Sequence, residues 1–229
     1  FKPNDEVPNT ASRLRNPAGW YIDDYNAAIQ IGNDDPYQIY NKSKLVPGPE
    51  LFPFAEVLKP MQQKLFGKLG GMIGDLGTQK ERSVFVNDEK NIKVAPVICY
   101  ESIYGEYVAE YINNGAQFIS IITNDGWWGN TPGHTQHLAY GKLRAIETRR
   151  SIARAANTGI SGFINQKGDI ILQNKYWVQD ALRASLLAND RITFYVKNGD
   201  MIGSSARYIS FLFLFGLIIS TAIQFFKRK

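Results

Sequence analysis

The stretch NIKVAPVICYESIYG, residues 91–105, decides the fold. Its apolar run from Val94 to Ile98 reads as the end of a strand, and Cys99 closes it where residues with helical spacing begin. Cys99 is the only cysteine in the chain, and a lone thiol at a strand-to-helix handover is a nucleophile candidate. Around it the pattern predicts strands over 83–87 and 92–98, a helix over 102–113 and a strand over 117–123, a βαβ order centred on the thiol.

Further out, a helix is expected over 135–151, carrying Leu138, Lys142, Ala145 and Arg149 on neighbouring turns. Short strands follow near 153–156, 162–165 and 169–173, with a further strand-like stretch near 181–187. On the N-terminal side, residues 1–19 read as loop, punctuated by Pro3, Pro8, Pro17 and Gly19. Alternation over 21–31 and 37–42, split by the turn cluster Gly32 to Pro36, predicts a hairpin. From Val46 to Lys80 a segment rich in glycine, proline and large apolar residues reads as a long loop with one or two short amphipathic helices, the form of a lid or binding arm. The whole is an α/β layered domain.

With 229 residues, 44% of them apolar, the chain can bury a full core, and its single cysteine excludes an internal disulfide framework. The net charge of +5 is spread among 21 carboxylates without a basic stripe, which argues against nucleic acid as a partner. The concentrated basic feature is Lys227, Arg228 and Lys229, directly after the uncharged segment YISFLFLFGLIISTAIQFF, residues 208–226. As a helix at about 1.5 Å per residue this segment spans roughly 28 Å, close to the bilayer's hydrocarbon core. A membrane-spanning helix is expected, the other reading being a buried core helix. Three cations after it against Arg207 before it put the C-terminus in the cytoplasm and the preceding domain outside. The chain opens on Phe1 without a charged-then-apolar signal pattern, so a C-terminal piece of a longer protein is expected.

Other chemistry-bearing residues cluster after the predicted strand 117–123. Asn124 and Asp125 can cap a turn, and Trp127 and Trp128 offer either a rigid apolar wall or aromatics packed into the core. His134 and His137 stand three apart without a supporting carboxylate or thiol set, so helix-start hydrogen bonding is expected and no metal. Arg144, Glu147, Arg149 and Arg150 read as a charged helix with intrahelical pairing, with Glu147 and Arg149 alternatively buried in support of a site.

Taken together, YNKSKLVPGPELFPF (40–54), PVICYESIYGEYV (96–108), NDGWWG (124–129), GHTQH (133–137) and RAIETRRSIARAANTGISGFI (144–164) resemble the catalytic domain of the apolipoprotein N-acyltransferases. These are membrane-embedded members of the nitrilase, or carbon-nitrogen hydrolase, superfamily. The resemblance runs from about residue 20 to the C-terminal helix. It implies a four-layer αββα sandwich, here incomplete at its N-terminus, over residues 1–205, followed by the transmembrane helix 208–226 and a basic cytoplasmic tail 227–229. It also implies a Glu-Lys-Cys triad, in which Cys99 matches the nucleophile and Lys42 the lysine, and it implies no cofactor. Glu50 matches a supporting glutamate, Asn124 and Trp127 belong to a loop lining the acyl site, and Glu101 is either site-supporting or a helix-start charge.

The activity implied is transfer of an acyl chain from a phospholipid, through a Cys99 thioester, to the N-terminal α-amine of diacylglyceryl-cysteine in an apolipoprotein at the bacterial inner membrane. The catalytic domain would then be periplasmic, in an intact protein of several spans. A thiolate near a helix N-terminus is stabilised by free N–H groups, and an ammonium such as that of Lys42 stabilises an oxyanion. Phe54, Leu65 and Phe66, with Phe52, Leu58, Met61 and Met72, would dip into lipid from the long loop or else pack on the domain's own core. The chain departs from the family pattern at the triad glutamate: none of Asp5, Glu6, Asp23 and Asp24 stands in a matching motif, so these 229 residues alone are expected to be inactive. A membrane-tethered amidohydrolase and a catalytically dead interaction domain are the alternatives.

Overall fold

The computed structural model describes residues 2, 5, 6, 8, 12, 13, 19–32, 37–47, 49–51 and 76–227, with positions 12, 13, 222 and 226 as backbone only. Four short strands come first: β1 (Ser12–Arg13), β2 (Tyr21–Ile22), β3 (Ala27–Gln30) and β4 (Gln38–Asn41). β1 pairs antiparallel with β2, so the N-terminal stretch expected to be loop contributes a two-residue strand. β3 and β4 form the expected hairpin, in register from Ala27–Asn41 to Gln30–Gln38.

The remaining strands are β5 (Phe85–Asn87), β6 (Ile92–Ile98), β7 (Phe118–Asn124), β8 (Ile152–Asn157), β9 (Gly162–Ile164) and β10 (Ile170–Gln173). They form one sheet ordered β10-β9-β8-β7-β6-β5. β6, β7 and β8 are parallel and central, while the outer pairs are antiparallel. That division follows from sequence length: parallel neighbours need a crossover, and the crossovers are the helices α1 (Gly105–Asn113) and α2 (Gly133–Thr148). β6 is fully buried from Ala95 to Ile98, as a strand covered on both faces should be.

Register places Ala95, Val97, Ile119, Ile121, Ile152 and Ile164 on one face of the sheet, all but fully buried. α2 lies on that face with Gly141 against it; a Cβ there would stand 3.3 Å from Ile164 and 3.5 Å from Ile121. The absence of a side chain at 141 is what lets the helix approach so closely. Hairpin β3–β4 packs against β6 and is tied to the edge strand by Gln30 and Gln38, whose amides both donate to the Val86 carbonyl. A helix layer on a mixed sheet, with further strands outside that sheet, is the αββα arrangement as far as the described residues cover it.

Two elements differ from expectation. Residues 99–103 are not the start of a single helix from 102 to 113: Cys99–Ile103 is a 3₁₀ turn, Tyr104 is extended, and α1 begins at Gly105. The cause is Glu101, whose buried carboxylate reaches back to the backbone N–H of Ile98 and draws the chain into a tight turn. Residues 181–187 form no strand. Their carbonyls meet side chains rather than a ladder: Leu187 accepts from Ser151 Oγ at 2.9 Å and from Gln166 Nε2 at 3.2 Å. Alternating polarity without a neighbouring strand edge leaves such a segment extended but unpaired.

After the short helix α3 (Phe194–Asn198), helix α4 runs from Met201 to Lys227, seven residues earlier than the predicted start at 208. Asp200 caps it by accepting from the Gly203 N–H at 2.8 Å. Its 27 residues reach about 40 Å at about 1.5 Å each. The stretch Phe194–Phe225 contains a helix long and apolar enough to cross a membrane, and its most apolar window is exposed among the described residues, not packed into the core of this domain.

Candidate active site

Cys99 sits at the C-terminal end of a central parallel strand, where α/β sheets open their crevices. Its φ of +47° is left-handed, which costs a non-glycine residue about 1–2 kcal/mol and persists only where surrounding contacts fix it. Those contacts come from the 3₁₀ turn: Ser102 Oγ donates to the Cys99 carbonyl at 2.7 Å, and the Glu101 carboxylate accepts from the preceding N–H, that of Ile98, at 2.8 Å. The expected stabilisation by an α-helix N-terminus is therefore displaced, because α1 starts six residues after the thiol.

Cys99 forms part of the wall of a cleft of about 170 Å³. Val46, Pro49 and Glu50 line it from the segment after β4, and Tyr100 and Ile103 from the 3₁₀ turn. Asn124, Trp127 and Trp128 line it from the end of β7, and His137 from α2. Trp127 is 52% exposed, so it forms a wall of the cleft and is not packed into the core. Asn124 turns its carbonyl oxygen onto the Gly126 N–H at 3.0 Å and shapes the loop that carries both tryptophans.

Lys42 is buried to 1% exposure, and its Nζ donates to both oxygens of Glu50 at 2.8 and 2.7 Å. Asn26 Nδ2 and the Val46 N–H occupy the same carboxylate at 2.9 and 2.8 Å. Four hydrogen bonds are thus directed at the Glu50 carboxylate, two of them from Lys42, so the two side chains hold each other in place. An ammonium has three donors, so one remains beyond the two committed to Glu50.

Glu101 is wholly buried and joins the two halves of the site. Oε1 accepts from Tyr40 Oη at 2.6 Å, Tyr107 Oη at 2.7 Å and the Ser43 N–H at 2.7 Å. One carboxylate thus binds the residue after Lys42 and the residue before Cys99. Glu101 stands in the first turn of the 3₁₀ helix, where it accepts from the Ile98 N–H, and is at the same time buried against Tyr40, Ser43 and Tyr107. Burial, and next the Glu101 charge, push the Tyr107 hydroxyl up to about 12 and raise Tyr40 and Tyr111 as well, which keeps all three as hydrogen-bond donors.

A second buried cluster underlies Cys99. Asp125, fully buried, accepts from Arg154 Nη2 and from Thr123 Oγ1 at 3.1 Å, and pairs with His137 Nδ1 at 2.8 Å. Burial works against its charged form, but the His137 hydrogen bond and the Arg154 charge outweigh that and hold the carboxyl below its ordinary value. The other ring nitrogen of His137 stands 3.0 Å from Ser102 Oγ and 3.2 Å from the Cys99 carbonyl oxygen.

Glu147 is not in the cleft. It pairs with Arg144 at 2.8 Å, and Arg144 in turn donates to the Ile103 carbonyl at 2.6 Å, so Glu147 supports the turn after Cys99 at one remove. Arg149 is exposed and holds a left-handed helix end; among the described residues the buried arginines are Arg144, Arg150 and Arg154. His134 stacks on Tyr176 with ring centres 3.9 Å apart, and among the described residues no three His, Cys, Asp or Glu side chains converge as a metal site. Phe54, Leu65 and Phe66, with the rest of the predicted lipid-facing loop, lie outside the described residues.

Asp125, Ser102, Arg154 and His137 meet beneath Cys99 from positions far apart in sequence, which no local pattern marks. The family model for carbon-nitrogen hydrolase matches residues 11–190. The apolipoprotein N-acyltransferase of Chlorobaculum tepidum is 35% identical over 206 residues, 86% of this chain and 38% of the relative. That of Wigglesworthia glossinidia brevipalpis is 33% identical over 184 residues, 77% of this chain and 36% of the relative. The chain therefore spans a little over a third of the length of these curated relatives. Among solved structures, the glutamine-dependent NAD+ synthetase of Acinetobacter baumannii superposes with a TM-score of 0.51 at 16% identity, covering 74% of this chain and 29% of that one, a likeness of fold.

Proposed function

The chain belongs to the carbon-nitrogen hydrolase family, and from that premise we propose that it carries the acyl-accepting site for apolipoprotein N-acylation, with Cys99 as the sulfur that takes the acyl group. The observation that carries the reading is the setting of that thiol. The only cysteine is held in left-handed backbone at the wall of a cleft otherwise lined largely by apolar and aromatic groups, with Glu50 of the buried Lys42–Glu50 pair in the same wall. Such walls suit an acyl chain, whose burial yields about 0.8 kcal/mol per methylene.

In the first step Sγ of Cys99 attacks the ester carbonyl of a phospholipid. The oxyanion that develops is met by the remaining ammonium donor of Lys42, the acyl–oxygen bond breaks, and the lysophospholipid leaves as an alcohol carrying the thiol's proton. In the second step the α-amine of a diacylglyceryl-cysteine N-terminus attacks the thioester, the carbon–sulfur bond breaks, and the amine proton returns to the thiol. Splitting the transfer lets two bulky lipids use one cleft in turn. Glu101 and the Asp125 cluster position the groups; Glu50 orients Lys42. α4 spans the bilayer, with Lys227 on its cytoplasmic side and the catalytic domain on the other.

The test is intact-mass analysis of the full-length protein, expressed from its own reading frame, after incubation with a phospholipid of one defined acyl chain. An acyl-sized, hydroxylamine-sensitive mass gain that disappears in Cys99→Ser is the expected result. Free fatty acid without an adduct would favour hydrolysis, and unchanged protein and lipid would overturn the reading.

A further inference from the structure

We propose that His137 is a positioning residue for Cys99, acting as the centre of a buried relay that runs from Asp125 through His137 and Ser102 to the backbone of the nucleophile. This rests on Cys99 being the reacting sulfur. One end of the relay is fixed: Asp125 is fully buried, joined to Arg154 from β8 and Thr123 from β7, and faces His137 Nδ1 at 2.8 Å. The imidazole is 4% exposed and rises from α2 on the buried side. Its far nitrogen stands within reach of two oxygens of the 3₁₀ turn, Ser102 Oγ and the Cys99 carbonyl. Ser102 itself donates to that carbonyl at 2.7 Å.

The chemistry of Cys99 does not need a histidine at its carbonyl, but its conformation needs something there. A cysteine at φ +47° relaxes toward the ordinary right-handed or extended regions unless its carbonyl is held, and that relaxation would swing the sulfur away from its place in the cleft wall. Glu101 fixes the chain before Cys99, at Ile98, whereas the relay fixes it after, at the Cys99 carbonyl. Three elements are thereby tied to one peptide group: the end of β7, the body of α2 and the 3₁₀ turn.

The test separates positioning from packing. N-Dodecyl chloroacetamide enters an apolar cleft by its chain and alkylates a thiol with loss of chloride; with one cysteine in the chain, the mass gain reports Cys99 alone. The protein in detergent is compared with His137→Leu, which fills the space without polar atoms, and His137→Gln, whose amide reaches the same two oxygens. The inactivation rate constant is expected to fall about tenfold in His137→Leu with the inhibition constant within twofold, and to return to within threefold of the parent in His137→Gln. If His137→Leu does not fold, Ser102→Ala is read in its place, with the same split expected at about threefold.

An unchanged rate constant in His137→Leu, a rate and inhibition constant that move together, or a His137→Gln variant no better than His137→Leu would each overturn the relay. Because alkylation requires no acyl donor, the split stands or falls independently of whether phospholipid acylates Cys99.

Discussion

Replacing Glu101 by Gln tests how the two halves of the site are joined. The wild-type carboxylate uses Oε1 for short bonds from Tyr40, Tyr107 and the Ser43 N–H, with a longer one from the Lys44 N–H at 3.4 Å, and Oε2 for the Ile98 N–H and, at 3.5 Å, Tyr111 Oη. A glutamine keeps one oxygen, and the three short contacts at Oε1 decide which position keeps it. The amide nitrogen then faces the Ile98 N–H, donor against donor, and that buried N–H loses its partner at about 1–3 kcal/mol. The three close donors that remain bond a neutral oxygen and no longer an anion, at about 1 kcal/mol each. Against this, the cost of burying a charge is relieved, so that the net loss is about 3 kcal/mol. In a chain of this size that corresponds to a fall in Tm of about 6–12 °C.

The assay is tyrosine near-ultraviolet circular dichroism during thermal melting in detergent, with Tyr107→Phe as the internal scale. That variant removes one donor and leaves the others, for a loss of about 1 kcal/mol. A Glu101→Gln melt within about 2 °C of the parent, or one no lower than that of Tyr107→Phe, would refute the claim that this carboxylate couples the Lys42 and Cys99 segments.

Lys42→Ala strands the Glu50 carboxylate in the cleft wall and is expected to cost about 3 kcal/mol, part of which returns in Lys42→Ala/Glu50→Ala; a thermal double-mutant cycle measures the return. The depressed titration of Asp125 stabilises the native state above the ordinary carboxylate range, and that contribution is lost as pH falls below about 4. Urea midpoints followed into acid should therefore drop more steeply for the parent than for Asp125→Asn, and parallel curves would contradict this. Arg150 is buried and donates to the carbonyls of Ala116, Thr148 and Arg191. Arg150→Met should cost about 2–4 kcal/mol and speed tryptic cleavage after Arg191, whose carbonyl Arg150 holds. Trp127→Ala, at a half-exposed position, should leave Tm nearly unchanged while raising the inhibition constant of dodecyl chloroacetamide about tenfold.

Much of the layout follows from local pattern. β6, β7 and α2 announce themselves by apolar runs and helical spacing, the βαβ order places Cys99 at a strand end, and the Lys42-to-Glu50 spacing of eight residues survives as a direct ion pair. The apolar helix near the C-terminus needed only composition, because a helix with no polar face has few places to go. These are properties that residues carry with them along the chain.

What needed the tertiary structure is whatever depends on partners far apart in sequence. For Glu101 the local pattern left a helix-start charge and a supporting group equally open; its contacts to Tyr40 and Ser43, 61 and 58 residues away, come only with folding. Asp125 looked like a turn residue until β8 brought Arg154 to it, 29 residues on, and α2 brought His137, 12 residues on. The turn at Cys99 was read as helix because spacing records periodicity, not the pull of a buried carboxylate on the Ile98 N–H. The sequence alone singled out Cys99 as the nucleophile candidate and placed it at the end of a strand. The tertiary structure decided how that cysteine is held, because a buried charge or a left-handed backbone takes its stability from groups that only folding brings within 3 Å.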